Sequence, residues 1–201
     1  MSLPARTLAL NMLRAHRTSS DAAVLALALK TLASGQRSLA YELLRAAPRA
    51  LAAAKAKDIR RFAADVTTWS DVDCFGCFVA GVAWRIGRIS DKAIARFASS
   101  KDRWWRRAAL VATVPLNAKS RGATSTTGDA TRTLAVCGSL LDDRDDMVVK
   151  AMSWALRELA KRNPRAVRTF LAQHGERLSA RVRREVTNKL TTGRKSPRPR
   201  A

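Results

Sequence analysis

Trp69 and Asp73 stand four residues apart at the start of an apolar-periodic stretch, a spacing that makes them neighbours on one face of a helix. Rotating about 100° per residue places Phe75, Phe78, Val79 and Val82 on the apolar side. Trp69, Asp73, Gly76 and Ala80 fall on the other, where the two small residues are expected to leave open space beyond the carboxylate. A first-turn acid is favoured by the helix dipole, a position that Asp71 fills equally well. An acid set against a cationic surface has a further use, because it stabilises positive charge that develops during a reaction.

The same rotation applied to residues 144–162 gathers Val148, Met152, Ala155 and Leu159 on one side and Lys150, Trp154, Arg157 and Lys161 on the other. Tryptophan in a helix is ordinarily a core residue. An aromatic plate among three cations is instead suited to packing against a sugar or base while the cations hold phosphates. Over residues 102–113, Arg103 and Arg107 stack at i, i+4 while Trp105, Ala108, Ala109 and Ala112 form the buried side, so Arg107 is expected to face outward. A solvated surface arginine is the commoner outcome for such a residue.

Other spacings carry less. Cys74-Phe-Gly-Cys77 has C-x-x-C form but stands within a helical pattern, without a second pair or nearby histidines, whereas a zinc site needs four ligands. His16 and His174 have no partner pattern, and the chain has neither a Gly-rich phosphate loop nor a nucleophile elbow. No metal and no small-molecule cofactor is expected.

The elements that must position these residues are helices. Alanine, leucine and arginine dominate, β-branched residues are sparse, and only 9 Gly and 6 Pro interrupt 201 residues. Periodicity predicts helices near 3–16, 20–33, 36–47, 49–66, 70–87, 90–99, 102–113, 127–141, 144–162, 164–174 and 177–190. One long loop, rich in Gly, Ser, Thr and Asn, is expected from Pro115 to Asp129. The stretch beginning Lys101-Asp-Arg-Trp-Trp-Arg-Arg-Ala-Ala is echoed about 43 residues later by Arg144-Asp-Asp-Met-Val-Val-Lys-Ala-Met, with a third copy at Arg181-Val-Arg-Arg-Glu-Val. This spacing fits an all-α superhelix of HEAT-like helical pairs, a curved array whose concave basic face can hold a rod such as duplex DNA. Residues 1–190 are read as a single helical-repeat domain and residues 191–201 as a disordered basic tail.

Charge names the class of partner. Against 16 acidic residues stand 38 Lys and Arg, a formal net charge of +22 that strains a compact fold unless a polyanion lies against it. The basic residues are threaded through the amphipathic segments from Arg6 to Arg184, which favours nucleic acid over a ribosomal accessory role or an anionic membrane surface. Three cysteines, an odd number, with no leading signal segment and no long apolar run, predict a reducing compartment. The expected location is the cytoplasm, with association with the nucleoid when bound to DNA, and the expected state is a monomer.

Trp69-Ser-Asp-Val-Asp73, Trp104-Trp-Arg-Arg107-Ala-Ala and Val149-Lys-Ala-Met-Ser-Trp154-Ala-Leu-Arg-Glu158 resemble, in order and spacing, three signature segments of the AlkD-type DNA alkylation repair glycosylases. The likeness runs from about Gly35 to Leu190, and the family's N-terminal elements have no evident counterpart before Gly35. The resemblance implies a HEAT-like solenoid that excises positively charged alkylated purines, such as 3-methyladenine and 7-methylguanine, from duplex DNA without flipping the base. It implies Asp73 as the catalytic carboxylate, Trp69 and Trp154 as groove tryptophans, and Arg107 as a DNA-contacting arginine. Arg103, Lys150, Arg157 and Lys161 are the further cations expected on DNA. The alternative is a non-catalytic DNA-binding or lesion-sensing solenoid using the same basic face; a HEAT-like protein scaffold is a third reading.

Overall fold

The computed structural model describes residues 4–118 and 128–196. Among them the regular structure is entirely helical, as expected, and the chain divides into two compact units, Met1–Ser90 and Asp91–Ala201.

The first unit contains α1 (Ala5–Ala15), α2 (Asp21–Ala33), α3 (Arg37–Ala46), a 3-10 helix (Pro48–Ala53), α4 (Ala56–Ala63), α5 (Trp69–Cys74), a π-helical segment (Phe75–Ala80) and α6 (Gly81–Arg85). Ser20 starts α2, its hydroxyl accepting from the Ala23 amide at 3.2 Å. Gly35, at φ +81, supplies the left-handed turn between α2 and α3. The single helix expected over 49–66 is two pieces. Ala54 and Lys55 are extended between them, and the Asp58 carboxylate accepts from the Lys55 amide at 2.9 Å, fixing a new helix start. From Trp69 to Arg85 the backbone stays helical through α5, the π segment and α6.

The core of this unit is built on α3, which packs on α1, α2 and the π segment. Leu39, Tyr41, Leu43 and Leu44 meet Leu51, Phe62, Phe75, Val79 and Trp84, all buried. Tyr41 donates its hydroxyl to the Phe62 carbonyl at 2.7 Å, so its polar end is satisfied inside the core. Burial pushes the Tyr41 pKa up to about 12.

The second unit contains α7 (Asp91–Ala98), α8 (Arg103–Val111), α9 (Val114–Asn117), α10 (Ala130–Ser139), α11 (Asp146–Ala160), α12 (Pro164–His174) and α13 (Ala180–Thr192). Helices pack in pairs, α7 on α8, α10 on α11 and α12 on α13, and the second member of each pair touches the next, α8 on α11 and α11 on α13. The weak sequence repeat is thus a structural one. Each second helix opens on a capping residue in register: the side chains of Asp102, Asp145 and Ser179 accept from the amides of Trp104, Met147 and Val182. The central helix α11 is apolar around most of its girth, burying Val148, Val149, Ala151, Met152, Ala155, Leu156 and Leu159 between its neighbours.

The expected long loop and the expected tail are both bounded differently from expectation. Pro115 opens no loop but lies within α9, because Asn117 is buried and tied in. Its Nδ2 donates to the Thr113 carbonyl at 3.1 Å and to Thr133 Oγ1 at 2.9 Å, and its Oδ1 accepts from the Asp129 amide at 3.0 Å. Residues 119–127 of the expected loop lie outside the described residues. At the other end, α13 continues through Thr191 and Thr192, so the expected tail begins two residues late, at Gly193 with φ +72. Its last residues, 197–201, lie outside the described residues.

Candidate nucleic-acid interface

In the first unit, Thr68 caps α5, its hydroxyl accepting from the Asp71 amide at 3.2 Å and donating to the Asp71 carboxylate at 3.0 Å. Asp71 therefore serves the helix start. Asp73, two residues on, is half-buried one turn from Trp69, which is 58% exposed. Among the described residues only Leu10 and Ile86 are comparably exposed large apolar side chains, and neither is aromatic. An indole left mostly in water beside a carboxylate forfeits the burial that ordinarily retains tryptophan.

The space expected beyond Asp73 is not there. Gly76 and Ala80 are buried, as are Gly81 and Ala83, because small residues let α3, α4 and the 3-10 helix pack closely against this stretch instead of leaving a gap. Trp69 and Asp73 therefore stand on α5 without an open cleft at Gly76 and Ala80. Cys74 lies among acids here. Burial, with Glu42, Asp71 and Asp73 adding to it, pushes its thiol up to about 11, which makes it a poor metal ligand or nucleophile at neutral pH. Among the described residues no group of three or more His, Cys, Asp and Glu side chains is placed to hold a metal ion.

In the second unit, α11 carries Lys150, Trp154, Arg157 and Lys161 along one stripe opposite its most buried side. Lys150 and Lys161 are exposed, while Trp154 and Arg157 are half-buried. Each cation has an acidic neighbour: Lys150 bonds Asp146 at 2.6 Å, Lys161 bonds Glu158 at 2.5 Å, and Arg157 stands 4.0 Å from Glu185. The Lys150 hydrogen bond holds the Asp146 carboxyl below the usual range. Arg103 stacks over the Trp104 ring at 4.8 Å and reaches Asp145 at 3.6 Å.

Arg107 corrects the sequence reading. It is 6% exposed rather than outward, and its Nη1 donates to the Met147 carbonyl at 2.5 Å, in the first turn of α11. Helical rotation put it opposite Ala108 and Ala109, but α8 packs on α7 and α10 on one side and α11 on the other, so that face too is covered. The adjacent Arg106 points to the same junction, its Nε donating to Asp143 at 2.6 Å and its Nη1 to the carbonyls of Ser100 and Lys101.

One polar cluster was missed in the sequence. The buried Ser153 hydroxyl donates to Glu185 Oε2 at 2.6 Å, and Arg157 Nε donates to the same hydroxyl at 3.2 Å. The available signal was Glu185 itself, an acid wedged between Val182 and Val186 on the apolar side of an otherwise basic helix.

The model of the DNA alkylation repair enzyme family matches residues 2–190. The chain belongs to that family. A comparison with curated proteins finds no match. The DNA alkylation repair enzyme match begins well before Gly35, so α1 and α2 lie within it. These helices are alanine- and leucine-rich and pack on α3. Membership gives the protein a role in DNA repair, with DNA as partner.

Proposed function

We propose that this family member is a monomeric DNA glycosylase that excises positively charged alkylated purines, of the 3-methyladenine and 7-methylguanine class, from duplex DNA. The observation that carries the reading is Trp69, 58% exposed one helical turn from the Asp73 carboxylate. In the reaction the bond between C1′ and the purine nitrogen breaks, and its electron pair leaves with the base, neutralising the positive charge of the lesion. The sugar left behind is oxocarbenium-like, and the Asp73 carboxylate with the electron-rich indole face of Trp69 stabilises it. Water then adds at C1′ and gives up a proton. Because the charged lesion is already a good leaving group, base flipping is not required.

Phosphates are held in this reading by Arg103, Lys150, Arg157 and Lys161. Exposed pairs such as Lys150 with Asp146 contribute little in water, so a phosphate readily replaces the carboxylate. Arg107 acts one step back, by holding the start of the helix that carries Lys150 and Trp154.

The test is release of 7-methylguanine from methylated duplex DNA. Native protein releases the base, and Asp73→Asn slows release while duplex affinity persists; equal release by both removes Asp73 from the mechanism. A second reading, a non-catalytic DNA-binding or lesion-sensing protein, is favoured by the burial of Arg107, which takes one motif residue off the surface. Duplex binding without any base release by the native protein decides for it.

A further inference from the structure

The C-terminal segment of the described chain turns back on its own helix. Gly193 caps α13 in the left-handed conformation at φ +72, its amide donating to the Lys189 carbonyl at 3.1 Å and its carbonyl accepting from Lys189 Nζ at 2.5 Å. The Arg194 amide donates to Thr192 Oγ1 at 3.3 Å, and Asn188 Nδ2 donates to the Lys195 carbonyl at 3.2 Å. These bonds lay residues 193–195 over the last turns of α13, and Lys195 Nζ comes to 3.5 Å from Glu185 Oε1.

Glu185 is where this segment meets α11. One of its oxygens takes the Ser153 hydroxyl and lies 4.0 Å from Arg157, while the other faces Lys195. Its side chain is 10% exposed, against 18% for Arg157 and 52% for Lys195, so the carboxylate sits beneath and the two cations above it. The cluster carries a net charge of +1, and Arg157 belongs to the stripe that carries Trp154. A buried acid that seats two cations from different elements fixes their spacing without needing to be seen by a polyanion.

We propose that Gly193–Lys195 is an anchored phosphate-binding arm: Glu185 seats Lys195 beside Arg157, and the two cations together receive the DNA backbone next to Trp154. The proposal rests on the duplex-DNA reading above and adds to it a site and a segment. It differs from the effect of a loose basic tail, because the geometry depends on the Gly193 turn and on the Glu185 contact. An unanchored polycation adds charge alone.

The experiment measures the salt dependence of binding to a short, unmodified, fluorescein-labelled DNA duplex. Four full-length or shortened forms are compared: the native chain, a chain ending at Thr192, Lys195→Ala, and Gly193→Val. The valine keeps every charge but makes the left-handed turn strongly unfavourable for a β-branched residue. Each phosphate contact contributes about 0.9 to the log–log slope. The shortened chain, which lacks Arg194 as well as Lys195, is expected to lose about 2 from that slope and about tenfold in affinity near 150 mM salt. Lys195→Ala is expected to lose about 1 from the slope. Gly193→Val should fall most of the way to the shortened chain although its charge is unchanged. Circular dichroism identifies any variant that fails to fold, and Lys195→Ala, at a half-exposed side chain, supplies the reading if Gly193→Val does not fold.

Binding by Gly193→Val and Lys195→Ala equal to that of the native chain, with loss only on shortening, overturns the anchor in favour of a loose tail. No loss on shortening overturns the arm altogether while leaving duplex binding standing. Failure of the native chain to bind duplex removes the functional reading and the arm together.

Discussion

Arg107 on α8 donates Nη1 to the carbonyl oxygen of Met147 on α11 at 2.5 Å, a bond that joins the second helices of two successive pairs. The same junction holds Arg106 on Asp143 at 2.6 Å and Arg103 near Asp145 at 3.6 Å. Three arginines of one helical turn region thereby meet the capped start of the helix carrying Trp154. Arg107 is part of what holds the start of that helix.

Arg107→Ala is therefore expected to destabilise the protein by about 2 kcal/mol, the range for losing a buried charge-assisted hydrogen bond together with its packing. The midpoint of urea unfolding checks this. An unchanged midpoint with weakened DNA binding would instead return Arg107 to a direct contact role.

Trp69→Ala should separate function from stability in the opposite direction. With 58% of the residue exposed, its truncation is expected to change stability by less than about 1 kcal/mol. Base release should fall about tenfold if the indole face stabilises developing charge on the sugar. Thermal unfolding and the release assay on the same preparation give both numbers, and unchanged release would take Trp69 out of the site.

Ser153→Ala removes the hydroxyl that bonds Glu185 at 2.6 Å and receives Arg157 at 3.2 Å, leaving a buried carboxylate short of a donor. The expected loss is about 1–3 kcal/mol. Combining Ser153→Ala with Glu185→Gln in a double-mutant cycle should recover part of it, since the charge that lacked a partner is gone. Strict additivity would show that the two residues act independently.

Alkaline pH should loosen the fold. Burial raises the thiols of Cys74 and Cys137 to about 11 and about 12 from an ordinary 9.0, and the Tyr41 phenol to about 12 from 10.0. All three are neutral when protonated. The folded chain keeps protons that the unfolded chain releases, so their contribution is intact below about pH 9 and declines as pH rises toward 11–12. Urea midpoints at about pH 8 and about pH 10 should differ, with the lower value at pH 10. The two thiols should correspondingly alkylate slowly at pH 8 in the folded protein. A flat profile, or rapid alkylation, would mean that these groups are accessible.

Much of the helical plan was legible because it is local. Ser20, Asp102, Asp145, Asn163 and Ser179 cap the helices that the periodicity predicts, and Pro164 opens α12 where the pattern places a start. The stretch 49–66 reads as one helix because alanine-rich sequence is equally compatible with a 3-10 turn, and the Asp58 cap that decides the break looks like any first-turn acid. The π-helical segment from Phe75 to Ala80 left no mark in the hydrophobic pattern, since nearly all of its residues are apolar or small.

That Trp69 and Asp73 share a helix face, and that Lys150, Trp154, Arg157 and Lys161 form one stripe, were set by the sequence itself, because i, i+4 and i, i+7 spacing assigns a helix face before any packing occurs. What lies against each face was a tertiary matter. Gly76 and Ala80 leave no cleft because other helices close on them, and Arg107 turns inward because α11 begins where its guanidinium ends. A helical period tells which residues share a side. Only the packed neighbours determine whether that side meets water, an acid such as Glu185, or another helix.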